Sequence, residues 1–410
     1  MVHKNTQVIQ ALIRDFREEW LLSIPHDEEA ALVEAAEEGG YPFLASILPS
    51  YDDSLTSGLS SGSLTGPTGF LPSLWNAIFD GKALRQHPCT ESIFALRQIF
   101  RAFKKVFEVC HEDKVGDALA SFIATDRGLP LVIDDALLTR TSALLHRPFL
   151  VGIGRAETFR FSHGPGAVAE RLDSVSRWDF PSVSSYLVER FDMSDFFPVY
   201  AEEWPCEIRD ALGRVVAVPK TFDKPRLISI EPSSQMYVQQ GILRALDVEM
   251  RKHPHLNMRD QTRNQGLARR GSLDGSLATI DLSEASDRVS LALVKNVFRH
   301  SPAFLDLILG VRTPSVEFPE WGTRLRLKKF ASMGCALTFP VQMLVFHSII
   351  VSAICAAEGD TSDAAIRRIG KSDDVGIFGD DIVVPSEHYN SVASALERFG
   401  LKVNLSKSYS

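Results

Sequence analysis

Ile377-Phe378-Gly379-Asp380-Asp381-Ile382-Val383-Val384 sets two adjacent aspartates between apolar runs. That pattern predicts two strands joined by a tight turn at Gly379-Asp380. Burying a carboxylate pair without a counter-charge is costly, so such a pair binds a cation or stays solvated at a hairpin tip. These eight residues alone leave both readings open.

A second phrase narrows them. Ala278-Thr279-Ile280-Asp281-Leu282-Ser283-Glu284-Ala285-Ser286-Asp287 reads as a short strand ending at Asp281 and passing into a helix. Open sheets build their sites at the C-terminal ends of strands. A carboxylate there and one from a neighbouring hairpin could bridge two divalent ions roughly 3.5–4 Å apart. Hard oxygen ligands select magnesium or manganese, and the carbonyl of Leu282 could add one more. One ion would activate a primer 3′-hydroxyl, and the other would neutralise charge on a leaving pyrophosphate. Asp287 either approaches the incoming ribose or caps the helix, in a supporting role. Asp373 and Asp374 read as loop carboxylates.

A triphosphate also needs cations. Val218 to Pro232 offers Lys220, Lys224 and Arg226 around a proline-containing turn, followed by a strand. Lysine supplies a point charge and arginine a bidentate fork for phosphate oxygens. From Cys206 to Arg270, 12 Lys/Arg stand against 7 Asp/Glu, although the whole chain carries −8. Alternation across Arg324-Leu325-Arg326-Leu327-Lys328, next to Lys329, predicts a second set of cations on one strand face. Both clusters could equally be solvated surface. Between Ala331 and Gln342, Ser332 and Gly334 would let the backbone approach a template or nucleotide closely. Thr338 and Gln342, four apart, would share a helix face if the turn at Pro340 is absorbed. Lys407 or Lys402 could protonate the leaving pyrophosphate, or either could be a plain surface lysine.

The rest of the chain sets bounds. The acidic total argues against a simple nucleic-acid-coating protein, whereas a polymerase needs only a basic channel. Five scattered cysteines without a C-x-x-C pair fit reduced thiols and give no zinc spacing. The first twenty residues contain no signal-peptide h-region. Val341 to Ala357 is apolar but interrupted by Gln342, His347, Ser348 and Ser352, which predicts a buried core helix and no membrane partner. Residues 6–40 carry helical periodicity. Asp53 to Pro72, rich in Ser, Gly and Thr, reads as a surface loop. Ser92 to Val109 reads as an amphipathic helix with Ile93, Leu96, Phe100, Phe103 and Phe107 in one stripe. Its opposite face, with Arg97, Arg101, Lys104 and Lys105, is either solvated or RNA-facing. Phe161-Ser162-His163-Gly164-Pro165-Gly166 describes a tight loop.

The order of these signals resembles the ordered motifs of the viral RNA polymerase palm. Its wording is similar to that of the leviviruses, positive-strand RNA phages. The resembling phrases are Val218 to Pro232, Asp260-Gln261-Thr262-Arg263-Asn264-Gln265, Asp281 to Asp287, Met333-Gly334 with Thr338-Phe339, Gly379-Asp380-Asp381, and the His163–Gly166 loop. The resemblance implies a right-hand α+β polymerase, with a palm antiparallel sheet packed on helices and with fingers. Residues 1–150 would be an N-terminal helical, fingers-associated region and 151–274 fingers with the basic motif at about 215–232. Residues 275–410 would be the palm. It implies Asp281 and Asp380 as principal metal ligands, Asp381 as auxiliary, and Lys220, Lys224 and Arg226 along the path of the incoming nucleotide. Gln342 stands where many eukaryotic-virus relatives carry a ribose-sensing Asn. Family replicases continue through a further hairpin and a thumb, so a chain stopping at Ser410 is expected to lack that thumb. Implied partners are RNA template and product, ribonucleoside triphosphates, host elongation factors Tu and Ts and a ribosomal protein, in the cytoplasm of an infected bacterium. The rival readings are a reverse transcriptase, a mitovirus-like palm polymerase, and an RNA-binding protein with a degenerate palm.

Overall fold

The computed structural model describes residues 2–106, 110, 112–171, 176–196, 206–210 and 212–409. Backbone proximity separates two units, Met1–Leu119 with Ala217–Arg226, and Ala120–Val216 with Leu227–Ser410. A border at residue 150 would fall inside the helix Ala136–Arg155.

Helices dominate the first unit. Ile9, Ile13 and Phe16 of Val2–Glu18 join Leu32 and Ala36 of His26–Pro42 and Leu96, Ile99 and Phe100 of Thr90–Arg101 in one core. The loop expected over Asp53 to Pro72 is helical as far as Ser61. In Leu48–Ser61 the residues Leu48, Asp52 and Leu55 fall at helical spacing on a buried face. The helix stops where Gly62 turns left-handed at φ 72°. Thr90–Arg101 ends earlier than the expected Val109, and Phe107 and Val109 lie outside the described residues. Its basic face is engaged: Arg97 and Arg101 reach the buried Asp52 carboxylate at 3.1 and 3.3 Å, and Lys104 lies 3.6 Å from Asp53. In the same unit the turn after Pro219 packs Phe222 edge-on against Tyr41 at 4.9 Å, and Asp223 accepts a hydrogen bond from Ser46.

The second unit is α+β. Its central helix, Thr338–Glu358, carries no charged residue before its last position and is buried from Pro340 to Cys355. By length and composition it could cross a membrane, yet here it is the core. Its serines are satisfied inside the helix, Ser348 donating to Leu344 O and Ser352 to Ile349 O, both at 2.9 Å. Ala136–Arg155 and Tyr389–Arg398 pack against it. So does the buried face of an antiparallel sheet ordered Gly376–Phe378, Asp381–Pro385, Leu277–Ile280, through Ile280, Ile377, Ile382 and Val384. Beyond its edge Leu282–Ser283 pairs with Lys402–Val403. A separate mixed sheet is ordered Thr323–Arg326, Ser315–Phe318, Gly213–Pro219, Pro225–Ile230.

Candidate active site

Antiparallel pairing sets Ile382 opposite Ile280, so Asp381 and Asp281 are the next residues at the same end of that ladder. In the other ladder Phe378 opposes Asp381, leaving Gly379 and Asp380 as a two-residue turn. Gly379 sits at φ 66°, and a Cβ there would lie 2.6 Å from the Phe339 ring. A glycine-first hairpin turn meets both demands. Two aspartates from one turn and one from the next strand therefore share one end of the sheet. Their charges are felt: burial first, then Asp380 and Asp281, push the Asp381 carboxyl above its ordinary range, while Gln261 and Lys407 oppose the rise.

Each flanking aspartate is held by a neutral amide. Asp281 Oδ2 accepts from Asn404 Nδ2 at 2.8 Å, and its carbonyl accepts from the Asn404 N–H at 2.9 Å. Its own N–H donates to Ser408 Oγ at 3.1 Å. Asp381 Oδ2 accepts from Gln261 Nε2 at 2.9 Å, and its carbonyl from Asn264 Nδ2 at 2.8 Å. Lys407 is exposed on the Asn404–Ser408 turn. Among the described residues no three His, Cys, Asp or Glu side chains are placed as a group that could hold a metal ion. The donor set still suits a hard divalent cation, being all oxygen with mutually repelling charges.

The loop before the central helix is fixed from below. Gly334 lies at φ 119°, where a Cβ would meet Ser229 O at 2.0 Å. The Ser229 N–H donates to Met333 O at 2.7 Å, and the Ala336 N–H to Gln239 Oε1 at 3.2 Å. Pro340 is absorbed near the start of the helix, so Thr338 and Gln342 do share a face. Thr338 Oγ1 donates to Ser332 O at 2.8 Å, and both Ser332 and Gln342 are buried. The Ser332 hydroxyl has no hydrogen-bond partner among the described residues.

Residues 158–410, which contain all of these groups, match the family described as RNA replicase, beta-chain. The chain belongs to that family. It is 32% identical over 198 residues to the RNA-directed RNA polymerase subunit beta of Escherichia virus Qbeta, covering 48% of this chain and 31% of that protein. It is 34% identical over 204 residues to the RNA-directed RNA polymerase beta chain of Escherichia phage MS2, covering 50% of this chain and 34% of that one. The matched stretch thus spans about a third of each relative's length. Among solved structures, the RNA-dependent RNA polymerase of a human picorbirnavirus is similar at 12% identity and TM-score 0.46, over 73% of this chain and 58% of that one.

The remaining expected residues are dispersed. Asp287 is paired, its Oδ1 lying 2.8 Å from Lys329 Nζ. Lys329, the neighbour of the expected cationic strand face, differs from the residues on it. Arg324 and Arg326 are exposed, but Lys329 has no exposed surface and its ammonium stands 3.2 Å from the Phe122 ring centroid. Lys220, Lys224 and Arg226 are exposed within the first unit, where Thr221 and Lys224 close their turn. Asp373 and Asp374 pair with Arg263 and Arg270, in keeping with their reading as loop carboxylates. His163 sits among Trp178, Phe180 and Tyr237, and burial first, then Arg177, lowers its pKa to about 4. Gln261, Asn264, Asn404 and Ser408 were given no role by sequence reasoning. Gln261 and Asn264 lie inside a phrase already singled out, and Asn404 between Lys402 and Lys407; only pairing across the fold reveals what they hold.

Proposed function

We propose that this chain performs template-directed RNA synthesis in the replication of a positive-strand RNA phage. An RNA 3′-hydroxyl attacks the α-phosphate of a ribonucleoside triphosphate, and pyrophosphate leaves. The observation that carries the reading is the Asp380-Asp381 turn set beside Asp281 within the family-matched residues. The names of the relatives, each an RNA-directed RNA polymerase, support it.

Asp281, Asp380 and Asp381, with the Leu282 carbonyl, would hold divalent cations: two magnesium ions, with manganese able to substitute. Such ions stabilise charge on phosphoryl oxygens and lower the pKa of a bound hydroxyl. The chain's own groups do the rest. Lys407, exposed close enough to influence Asp381, would give its proton to the leaving pyrophosphate. Lys220, Lys224 and Arg226 would take triphosphate oxygens. The backbone at Ser332 and Gly334 would face template or nucleotide, Thr338 and Gln342 would brace that loop, and Asp287 would approach the ribose. In this reading residues 275–410 form a right-hand palm, 151–274 fingers, and 1–150 a fingers-associated region. Host elongation factors Tu and Ts and a ribosomal protein, in the bacterial cytoplasm, would complete the assembly by family resemblance.

The test is primed extension on an RNA template with magnesium, using the parent chain and Asp380→Asn. The parent should incorporate ribonucleotides, and the variant should lose about a thousandfold or more in rate. Equal activity of the two would remove the aspartates from the chemistry. Equal use of deoxyribonucleotides would favour a reverse transcriptase, and an inactive parent would sink the proposal for this chain alone.

A further inference from the structure

Asp281 is gripped at three atoms by a short turn that lies 123 residues further along the chain. Asn404 donates from its amide to Oδ2 and from its backbone to the Asp281 carbonyl, while Ser408 accepts from the Asp281 N–H. The turn is itself cross-braced, since Ser408 Oγ donates to Asn404 O at 2.9 Å and Ser406 Oγ to Asn404 Oδ1 at 2.8 Å. With its Oδ1 accepting from Ser406, the Asn404 amide is oriented so that its NH₂ points at Asp281. Strand pairing fixes the turn on both sides, Val403 opposite Leu282 and Tyr409 opposite Thr279.

We propose that Asn404 is a positioning residue for divalent-cation binding, holding Oδ2 of Asp281 so that the other carboxylate oxygen is presented at the sheet end. This rests on the polymerase reading above. A neutral amide suits the task because it orients a carboxylate without cancelling the charge that a cation needs, as a lysine or arginine there would. Partners that orient a ligating group typically contribute 10–100-fold in metal affinity. The same turn carries Lys407, so Asn404 also ties that lysine's position to that of Asp281.

The experiment measures Mn²⁺ binding to the purified chain by electron paramagnetic resonance, with thermal melting alongside, for the parent, Asp281→Asn, Asn404→Ala and Asn404→Ser. The serine keeps a hydroxyl donor. The expected result is strong loss of binding in Asp281→Asn and a loss of about 10–100-fold in Asn404→Ala. Asn404→Ser should recover part of that loss, and melting temperatures should stay near the parent's. If Asn404→Ala binds Mn²⁺ like the parent while Asp281→Asn does not, the positioning role is overturned and the metal site stands. A parent that binds no Mn²⁺, or an Asp281→Asn variant that binds normally, overturns both readings. Should Asn404→Ala melt far lower, Ser406→Ala decides: it frees the amide from one brace, and unchanged affinity there overturns the proposal.

Discussion

Lys329 has no exposed surface, and its ammonium is compensated by Asp287 at 2.8 Å and by the face of Phe122. Burial pulls its pKa down, and Asp287 opposes that. Removing one partner of a buried pair leaves the other charge uncompensated, at roughly 3–5 kcal/mol. Lys329→Met should therefore destabilise the protein by about 3 kcal/mol, read as a lower urea midpoint. An unchanged midpoint would mean that the pair contributes nothing. Alternation puts Arg324, Arg326 and Lys328 on one strand face, but it does not tell which elements cover the neighbouring Lys329. The same limit explains the site. Asp281, Asp380 and Asp381 were legible because carboxylates at strand ends and in a Gly-Asp turn are local signals. Gln261 and Asn404 were not, because each meets its aspartate across at least 120 residues.

At the scale of the element, Thr90–Arg101 shows what a basic face can be for. Asp52 is buried, and Arg97 and Arg101 supply its counter-charge from one helical face, four residues apart. Arg97→Ala should lower stability by about 1–3 kcal/mol, since half of that compensation goes, while leaving RNA affinity as it was. Filter binding together with thermal melting checks this, and weakened RNA binding without a stability change would restore the RNA-facing reading. Leu48–Ser61 escaped sequence reasoning because serine, glycine and threonine usually mark loops. Its few apolar residues nevertheless fall at helical spacing, and their burial outweighs weak propensity. The central helix was legible for the opposite reason: a long uncharged run with scattered serines can be little else.

Across the whole molecule, imidazoles buried in the second unit link folding to pH. His146 and His347 lie 5.2 Å apart between centroids, with His255 stacked beyond, and all three have lowered pKa values. For His146 burial, then the charge of His253, brings the value to about 3. An unfolded histidine titrates at about 6.5. Between those values the unfolded chain binds a proton that the folded one refuses, so stability is full above about 6.5 and falls as pH drops. The melting temperature should be several degrees lower at pH 5 than at pH 7, with a shallower slope in His146→Gln; equal melting at both pH values would contradict this. The reach from Asp281 to Asn404 has one more consequence, which concerns time. A ribosome adding about 5–20 residues per second takes roughly 6–25 s to travel between them. Throughout that interval the aspartate has emerged but its brace has not been made. The carboxylate cluster is thus completed only after the central helix on which its sheet rests has been made.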